Sequence, residues 1–478
     1  MTKTSSAVAQ ACSKVEISAD GVTWVDIGSE TTTVALPKEV VATGSVPVFD
    51  DDYHVVTAGK IAPITATVSG VYTETVAEAF ETVLAVWAVE GCTKRLDLRV
   101  TPRGGGVGQR EITISPGILT GLMPPDLSAA DGGPALFEFD IFGNYTYAIA
   151  AYTVTTTGAQ THTIQSLGVS APTVVDWGDG SRDTYSGTAL RTHNYAGAGT
   201  WLVTIYTPKN VVTFDIRDNK VTLNSAQIAG MLNISTFSAT TLKAGTFNSA
   251  DVSAWRPTTF SLYSMPAGYA GTFDSADVSA WRPTNFYLHS MPAGYAGTFD
   301  SADVSAWRPT SFALHSMPAG YAGTFNSADV SAWGPTTFWL YSMPAGYTGT
   351  FNSADVSAWR PTTFSLHSMP AGYTITPGGG WANWITTTTF QVQSNGLLTA
   401  TVDAILWELY QATLARTATG GTINVGGTNQ APSGVFQAAS ACPVSAATSG
   451  KEIAHELLND GCGGIASGRV WSSVIFTP

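Results

Sequence analysis

The stretch GTFNSADVSAWRPTTFSLYSMPAGYA, residues 245–270, returns almost unchanged from residues 271, 297, 323 and 349, so one 26-residue unit runs five times between Gly245 and Thr374. A fixed period of this size predicts a solenoid: one unit cannot bury its own apolar residues, whereas a stack shares a continuous core. Within each unit Phe260/Leu262 and their copies Phe286/Leu288, Phe312/Leu314, Phe338/Leu340 and Phe364/Leu366 alternate with changing residues. That is the period of a strand with one buried face. Asp251, Trp255 and Pro257, with their copies, are expected to fix the return of each coil, the aspartates as turn carboxylates accepting backbone N–H bonds.

Between units almost everything is identical, yet the outward strand positions change. They run Thr259, Asn285, Ser311, Thr337, Thr363; then Ser261, Tyr287, Ala313, Trp339, Ser365; then Tyr263, His289, His315, Tyr341, His367. Exposed positions drift freely where buried ones cannot, which is one account of the pattern. The other is a recognition surface, because aromatic and imidazole side chains on a rigid ladder make contacts at low entropic cost. Tyr287 and Trp339 are large for idle surface. The candidate face is therefore Tyr263, Tyr287, His289, His315, Trp339, Tyr341 and His367. No acidic or cysteine partner accompanies the three histidines, so solvated or hydrogen-bonded imidazoles are expected rather than metal ligands. His54, His162, His193 and His455 read as isolated.

The 478 residues exceed one ordinary domain, and the length suggests about three. With 48 Gly, 24 Pro and 12% charged residues, the composition predicts a loop-rich, mainly β protein. Cys12, Cys92, Cys442 and Cys462 show no metal-ligand spacing; a Cys442–Cys462 bridge is open, with reduced thiols the simpler expectation. No stretch has the length of a membrane span, and the N-terminus lacks the apolar core of a secretory signal, so synthesis in a cytoplasm and no membrane insertion are expected. Net charge is −13, and residues 1–150 carry 9 Lys/Arg against 18 Asp/Glu, which disfavours adhesive contact with nucleic acid.

Residues 15–27, VEISADGVTWVDI, read as a hairpin around Asp20-Gly21. After the acidic run Asp50-Asp51-Asp52 and further strand-rich sequence, a helix is predicted from Glu74 to Glu90. Its stripe is Val76, Phe80, Val83, Leu84 and Trp87, capped by Thr73 or Thr75 and ended by Gly91. LDLRV, EITISPGIL and ALFEFDIFGNYTYAIA read as strands, and Arg103-Gly104-Gly105-Gly106 as a flexible tip. A domain of this length, opening on S-x-D-G-x-x-W with one mid-domain helix, resembles the major tail tube protein of long-tailed, siphovirus-type phages. That resemblance implies rings, typically hexameric, whose hairpins form a continuous inner β-barrel. The rings stack into a tube that conducts genomic DNA without specific binding, alongside other tail proteins, in a virion. A negative lumen would let DNA slide.

Residues 151–212 resemble a PKD-type immunoglobulin-like domain. Trp177, Gly178, Asp179, Gly180 and Ser181 match its first element, W-x-x-G-D-G-(S/T), except for its spacing, and His193, Tyr195, Gly199, Trp201 and Val203 match its second. Asp176, Asp179 and Asp183 are expected to cap an Asp-Gly turn rather than to hold calcium. From Val211 an entry coil leads into repeats that resemble the leucine-rich-type repeats of bacterial surface proteins. TTFQVQSNGLL reads as a last strand. TVDAILWELYQ is a helix burying Val402, Ile405, Leu406 and Leu409, and INVGGTN and KEIAHELLNDG repeat the strand-then-helix order. A terminus unlike the repeats is what a solenoid needs to stop stacking.

The expected fold is mainly β: a β-sandwich or barrel with one packed helix over 1–150, a PKD-like sandwich over 151–212, entry coil and repeats over 213–374, and an α/β cap over 375–478. No G-x-S-x-G, H-E-x-x-H or phosphate loop occurs, so no catalytic residue, metal or cofactor is assigned. The expected function is that of a virion structural protein displaying a repeat domain to a possible host-surface ligand. A bacterial surface adhesin is the alternative, and a carbohydrate-active enzyme rests only on the company PKD-like domains keep.

Overall fold

The structure, a computed structural model, describes residues 14–20, 23–37, 41–47, 54–61, 63–73, 78–89, 94–101, 112–125, 134–143, 145–147, 149–435, 442 and 447–477. It is mainly β and divides into two compact units. The first takes residues 1–149, 172–175 and 205–208; the second takes 150–171, 176–204 and 209–478.

In the first unit the strands are β1 (Lys14–Ser18), β2 (Val25–Asp26), β3 (Thr31–Ala35), β4 (Val41–Pro47), β5 (His54–Ile61), β6 (Ile64–Val71), β7 (Asp97–Thr101), β8 (Ile112–Ile114), β9 (Ile118–Met123), β10 (Leu136–Gly143) and β11 (Tyr145–Tyr147). One sheet runs β11-β8-β7-β1-β2 and a second β3-β6-β10-β9, with no closed barrel among the described residues. Alternation decides the faces. Ile64, Ala66 and Val68 of β6 and Phe137, Phe139 and Ile141 of β10 enter one core with Ile17, Leu98 and Ile114 of the other sheet. The expected first hairpin is β1–β2, with Ile17 opposite Val25. Its Gly21 lies outside the described residues, as do Asp50-Asp51-Asp52 and Arg103-Gly104-Gly105-Gly106.

Helix α1 spans Ala79–Trp87, shorter than the expected Glu74–Glu90, whose residues 74–77 and 90 lie outside the described residues. Its N-cap residue is Glu78, with Thr75 outside the described residues, and the Ala79 N–H donates to Glu30 Oε2 at 2.8 Å from the β2–β3 connection. The buried side is Ala79, Phe80, Val83 and Val86, while Leu84 is exposed, a correction to the predicted stripe. Phe80 sets the rotation by meeting Tyr72 and Phe137 edge-on at 4.9 and 5.3 Å.

Strands β4 and β5 form a sheet of their own, antiparallel from Val41 opposite Ile61 to Pro47 opposite His54. Neither edge of this ribbon pairs with another strand among the described residues. The ribbon is inserted between β3 and β6, which pair with each other, Ala35 opposite Thr67.

The chain continues with β12 (Ile149–Thr157), β13 (Gln160–Asp176), β14 (Arg182–Tyr195), β15 (Ala198–Tyr206), β16 (Val211–Ile216) and β17 (Val221–Asn224), which apart from residues 149, 172–175 and 205–206 belong to the second unit. Trp177 is fully buried, and its carbonyl accepts the Tyr195 hydroxyl at 2.9 Å. The Asp-Gly turn is built as expected. Asp176 accepts the Gly178 N–H, Asp179 accepts the Ser181 N–H and hydroxyl, and Asp183 accepts the Trp177 indole N–H at 2.7 Å.

Strands β16 and β17 each face two ways. β16 is antiparallel to β13 and parallel to Thr236–Thr240; β17 is antiparallel to β12 and parallel to Ala244–Thr246. Two parallel ladders grow from them. One continues through Thr259–Tyr263, Asn285–His289, Ser311–His315, Thr337–Tyr341, Thr363–Ser365, Thr389–Gln391 and Thr422–Asn424 to Ser473–Ile475. The other passes through Tyr269–Thr272, Tyr295–Thr298, Tyr321–Thr324 and Tyr347–Asn352 to Tyr373–Thr376. Each repeat thus contributes one rung to each ladder. Inside, Phe214, Phe237, Phe260, Phe286, Phe312, Phe338, Phe364 and Phe390 stack with centroids 5.4 to 6.4 Å apart.

The coil corner corrects the expected role of the aspartates. Asp251, Asp277, Asp303, Asp329 and Asp355 accept hydroxyl bonds, from Ser225, Ser249, Ser275, Ser301 and Ser327 of the preceding coil. Each of these hydroxyls also accepts a backbone N–H of the next coil, at residues 248, 274, 300, 326 and 352. A buried serine with both capacities used costs little to bury, which is why the S-A-D tripeptide does not vary.

Glycine is required at the head of each unit. Gly323 has φ +138°, and a Cβ there would stand 2.3 Å from the Phe299 carbonyl oxygen. Gly323→Ala is expected to destabilise the second unit by about 2–4 kcal/mol through backbone strain and overlap, read as a lowered denaturation midpoint at unchanged m.

The cap holds α3 (Thr399–Leu414) and α4 (Gly450–Leu458), α2 being the single turn Ser225–Ile228. Helix α3 buries Val402, Ile405, Leu406 and Leu409 as expected, and Ser449 and Glu452 form a capping box on α4. Cys442 and Cys462 are joined in a disulfide, which corrects the expectation of reduced thiols. Thr389–Gln391 is not the last rung: Thr422–Asn424 and Ser473–Ile475 follow it. The final one, only three residues long, has too little alternation to read from sequence.

Candidate recognition face

The ladder puts the three varying rows side by side. Tyr263 opposes His289, His289 opposes His315 and His315 opposes Tyr341, in register because the period does not slip. In-register neighbours on parallel strands lie about 4.8 Å apart, within the range of centroid separations of paired aromatic rings. The consequence is a continuous ring stack. Centroids are 4.7 Å apart for Tyr263–His289, 4.2 Å for His289–His315, 4.1 Å for His315–Tyr341 and 4.3 Å for Tyr341–His367, with planes within 19° of parallel.

This corrects the picture of a freely exposed row. Tyr263, His289, Tyr341 and His367 are half-buried and His315 is buried. Their ring faces are used on one another, so only edges reach solvent. The imidazoles are also tied down: Nδ1 of His289, His315 and His367 lies 3.1 to 3.2 Å from the hydroxyl of Ser290, Ser316 and Ser368, and His315 Nε2 lies 3.3 Å from the Tyr341 hydroxyl. The sequence signal for the stack was present, five planar rings at one position of a 26-residue period.

The middle row differs. Ser261, Ala313 and Ser365 are buried, while Tyr287 and Trp339 are half-buried, standing one rung to either side of Ala313. Trp339 meets His315 edge-on at 6.2 Å. Two large rings thus flank a small buried residue on successive rungs.

Burial holds the histidine row neutral. It pulls His289 down to about 4; it pulls His315 down to about 3, helped by the neighbouring His289 and His367; and it lowers His367. Between those values and the ordinary value near 6.5, the unfolded chain binds more protons than the folded one. Stability carried by this row is therefore complete above about pH 6.5 and is lost as pH falls towards 4. Replacing all three by tyrosine, the residue that already alternates with them, is expected to flatten the fall in melting temperature between pH 7 and pH 4.5.

His162, His193 and His455 are not isolated. His162 is buried between Tyr152 and Asp218, at 2.9 and 2.8 Å, and Asp218 also meets Lys220 at 2.6 Å. His193 lies on Trp177 with centroids 4.9 Å apart and bonds to Asp179, whose carboxyl is held down at about 2, burial opposing, by Ser181 and His193. His455 sits beside Asn459, and the side chain of His54 lies outside the described residues. Among the described residues no group of three His, Cys, Asp or Glu side chains could hold a metal ion, and no helix is long and apolar enough to cross a membrane.

No known family profile matches the chain, and no curated protein matches it. Solved structures with similarity include a protein of the sheath–tube complex of an extracellular contractile injection system, 11% identical, TM-score 0.25, covering 30% of this chain and 92% of that one. A protein of the sheath/tube terminator of such a system is 12% identical, TM-score 0.25, covering 31% and 99%. The Dit hub adsorption protein of phage SPP1 is 10% identical, TM-score 0.20, covering 40% and 98%. At these scores the matches do not define a family.

Proposed function

We propose that the chain is a structural subunit of a phage virion, a major tail tube protein whose first unit forms stacked sixfold rings with a DNA-conducting lumen. In this reading the PKD-like strands and the leucine-rich-type coils are displayed on the outside, where a bulky module does not block the channel. The ring stack stiffens the displayed face, and Tyr287 and Trp339 are its contacts to host or environmental surfaces.

The observation that carries this reading is the β4–β5 ribbon. A two-stranded ribbon is marginally stable in water by itself, and its open edges invite pairing with another chain. The tail-tube resemblance supplies the partner: hairpins of neighbouring subunits closing one inner barrel. The acidic excess of residues 1–150 suits a lumen through which DNA slides. Light scattering of the purified full chain over a range of concentrations tests the reading, with large assemblies expected; a monomer throughout would count against it.

The second reading is a bacterial surface adhesin. The Cys442–Cys462 disulfide favours an oxidising exterior, which a cell surface provides as well as a virion does. Finding the protein on intact cells and not in virus particles would favour it.

A further inference from the structure

Four guanidinium groups stand in a row that neither reading uses. Arg256, Arg282, Arg308 and Arg360 occupy the same place in repeats one, two, three and five, and Gly334 takes that place in repeat four. All four are exposed. Each is held in the same way: Nη1 donates to the carbonyl of Ser253, Ser279, Ser305 or Ser357 at 2.8 to 2.9 Å, and to that of the preceding tryptophan. Nε and Nη2 have no partner among the described residues, so each group presents a free fork in a fixed pose.

Carboxylates do not neutralise the row. The five repeats carry seven aspartates, and their bonds go to serine hydroxyls and backbone N–H groups. Asp251, Asp277, Asp303, Asp329 and Asp355 accept serine hydroxyls, and Asp274 and Asp300 accept the N–H of Thr298 and Thr324. Arginines on adjacent coils are about 4.8 Å apart along the stack. That is inside one Debye length of about 8 Å, so they repel one another unless an anion bridges them.

We propose that this row is a binding stripe for a linear acidic glycan bearing one carboxylate per sugar. The guanidinium fork matches a carboxylate bidentately. The row repeats once per coil on an in-register parallel ladder, about 4.8 Å per step, and a pyranose chain advances by roughly one coil per sugar. Duplex phosphates follow a helical path that turns away from a one-per-coil row after one or two contacts. Single-stranded nucleic acid is gripped through base stacking on aromatic side chains, and the tryptophans beside these arginines are buried. The stripe belongs to the second unit and does not depend on tube assembly.

The test measures binding of polygalacturonate to the full chain from 50 to 200 mM salt, with a thymidine oligonucleotide of equal charge as the other arm. Wild type is expected to bind the glycan, with the logarithm of affinity falling linearly in the logarithm of salt. R256Q/R282Q/R308Q is expected to weaken binding at least tenfold and to make the slope shallower by about 2, at ~0.7 per neutralised charge. Gly334→Arg is the complementary gain. A Cβ at Gly334 meets nothing within 4 Å and its φ is not in the left-handed region, so the side chain has room. It completes five consecutive cations and is expected to tighten binding severalfold with a steeper slope. No glycan binding at 50 mM salt, unchanged binding by both variants, or tighter binding of the oligonucleotide would each overturn the proposal.

Discussion

Glu408→Ala is expected to destabilise the second unit by about 3–5 kcal/mol and to open its C-terminal end first. The serine–aspartate ladder explains the size of the effect. Every coil from Ser225 to Ser327 donates its hydroxyl to an aspartate of the next coil, but the copy after Asp355 would fall at position 381, which is Trp381. Glu408, reaching in from α3, takes the vacant role. Its carboxylate accepts the Ser353 hydroxyl at 2.8 Å, the Gly379 N–H at 2.7 Å and the Trp381 N–H at 3.0 Å, and it is buried. Alanine leaves two buried donors, the Ser353 hydroxyl and the Trp381 N–H, without an acceptor, and frees the Gly379 N–H. Glu408→Gln keeps one oxygen and turns an amide N–H₂ towards a donor, so its loss should be about half as large. Hydrogen exchange separates these outcomes from a global effect: residues 375–385 should exchange early in the alanine variant while the coils nearer β16 keep their protection. Uniform loss of protection along both ladders would refute the ladder-termination account.

Excising residues 41–61 is expected to abolish ring assembly while leaving both units folded. The topology makes this a clean deletion. β3 and β6 already pair antiparallel, Thr33 opposite Ser69 and Ala35 opposite Thr67, so removing the ribbon between them and joining the ends by a short Gly-Ser turn leaves an ordinary hairpin. The core residues of β6 and β10 are untouched. Circular dichroism and the melting of the second unit should be unchanged, and light scattering should report a single monomeric species. A deletion variant that still builds rings would show that the β4–β5 ribbon is not the assembly element.

Much of the second unit was legible because identical sequence must adopt identical structure. Phe260 and Leu262 with their copies announced a buried face, and the structure buries them all. The role of the aspartates was not legible, since a serine two residues before each one looks local, whereas its bond reaches the carboxylate one coil further on. The stacked row failed for a related reason. Alternation assigned Tyr263, His289 and His315 to the outward face, but it carries no information on how far a ring leans onto its neighbour in the next coil. In the first unit, periodicity found α1 and missed its rotation, because Phe80 seats between Tyr72 and Phe137, contacts made across the sheet rather than along the helix. The Cys442–Cys462 bridge was visible only as a possibility, for sequence gives no distance between two loops of the cap.

The central claim is that the first unit polymerises through its ribbon into a channel. Electron microscopy of the concentrated full-length protein tests it most directly. The account predicts stacked rings with an open central channel and the repeat unit projecting outside; particles that remain single at every concentration and salt, or rings whose channel is filled by the repeat unit, would contradict it.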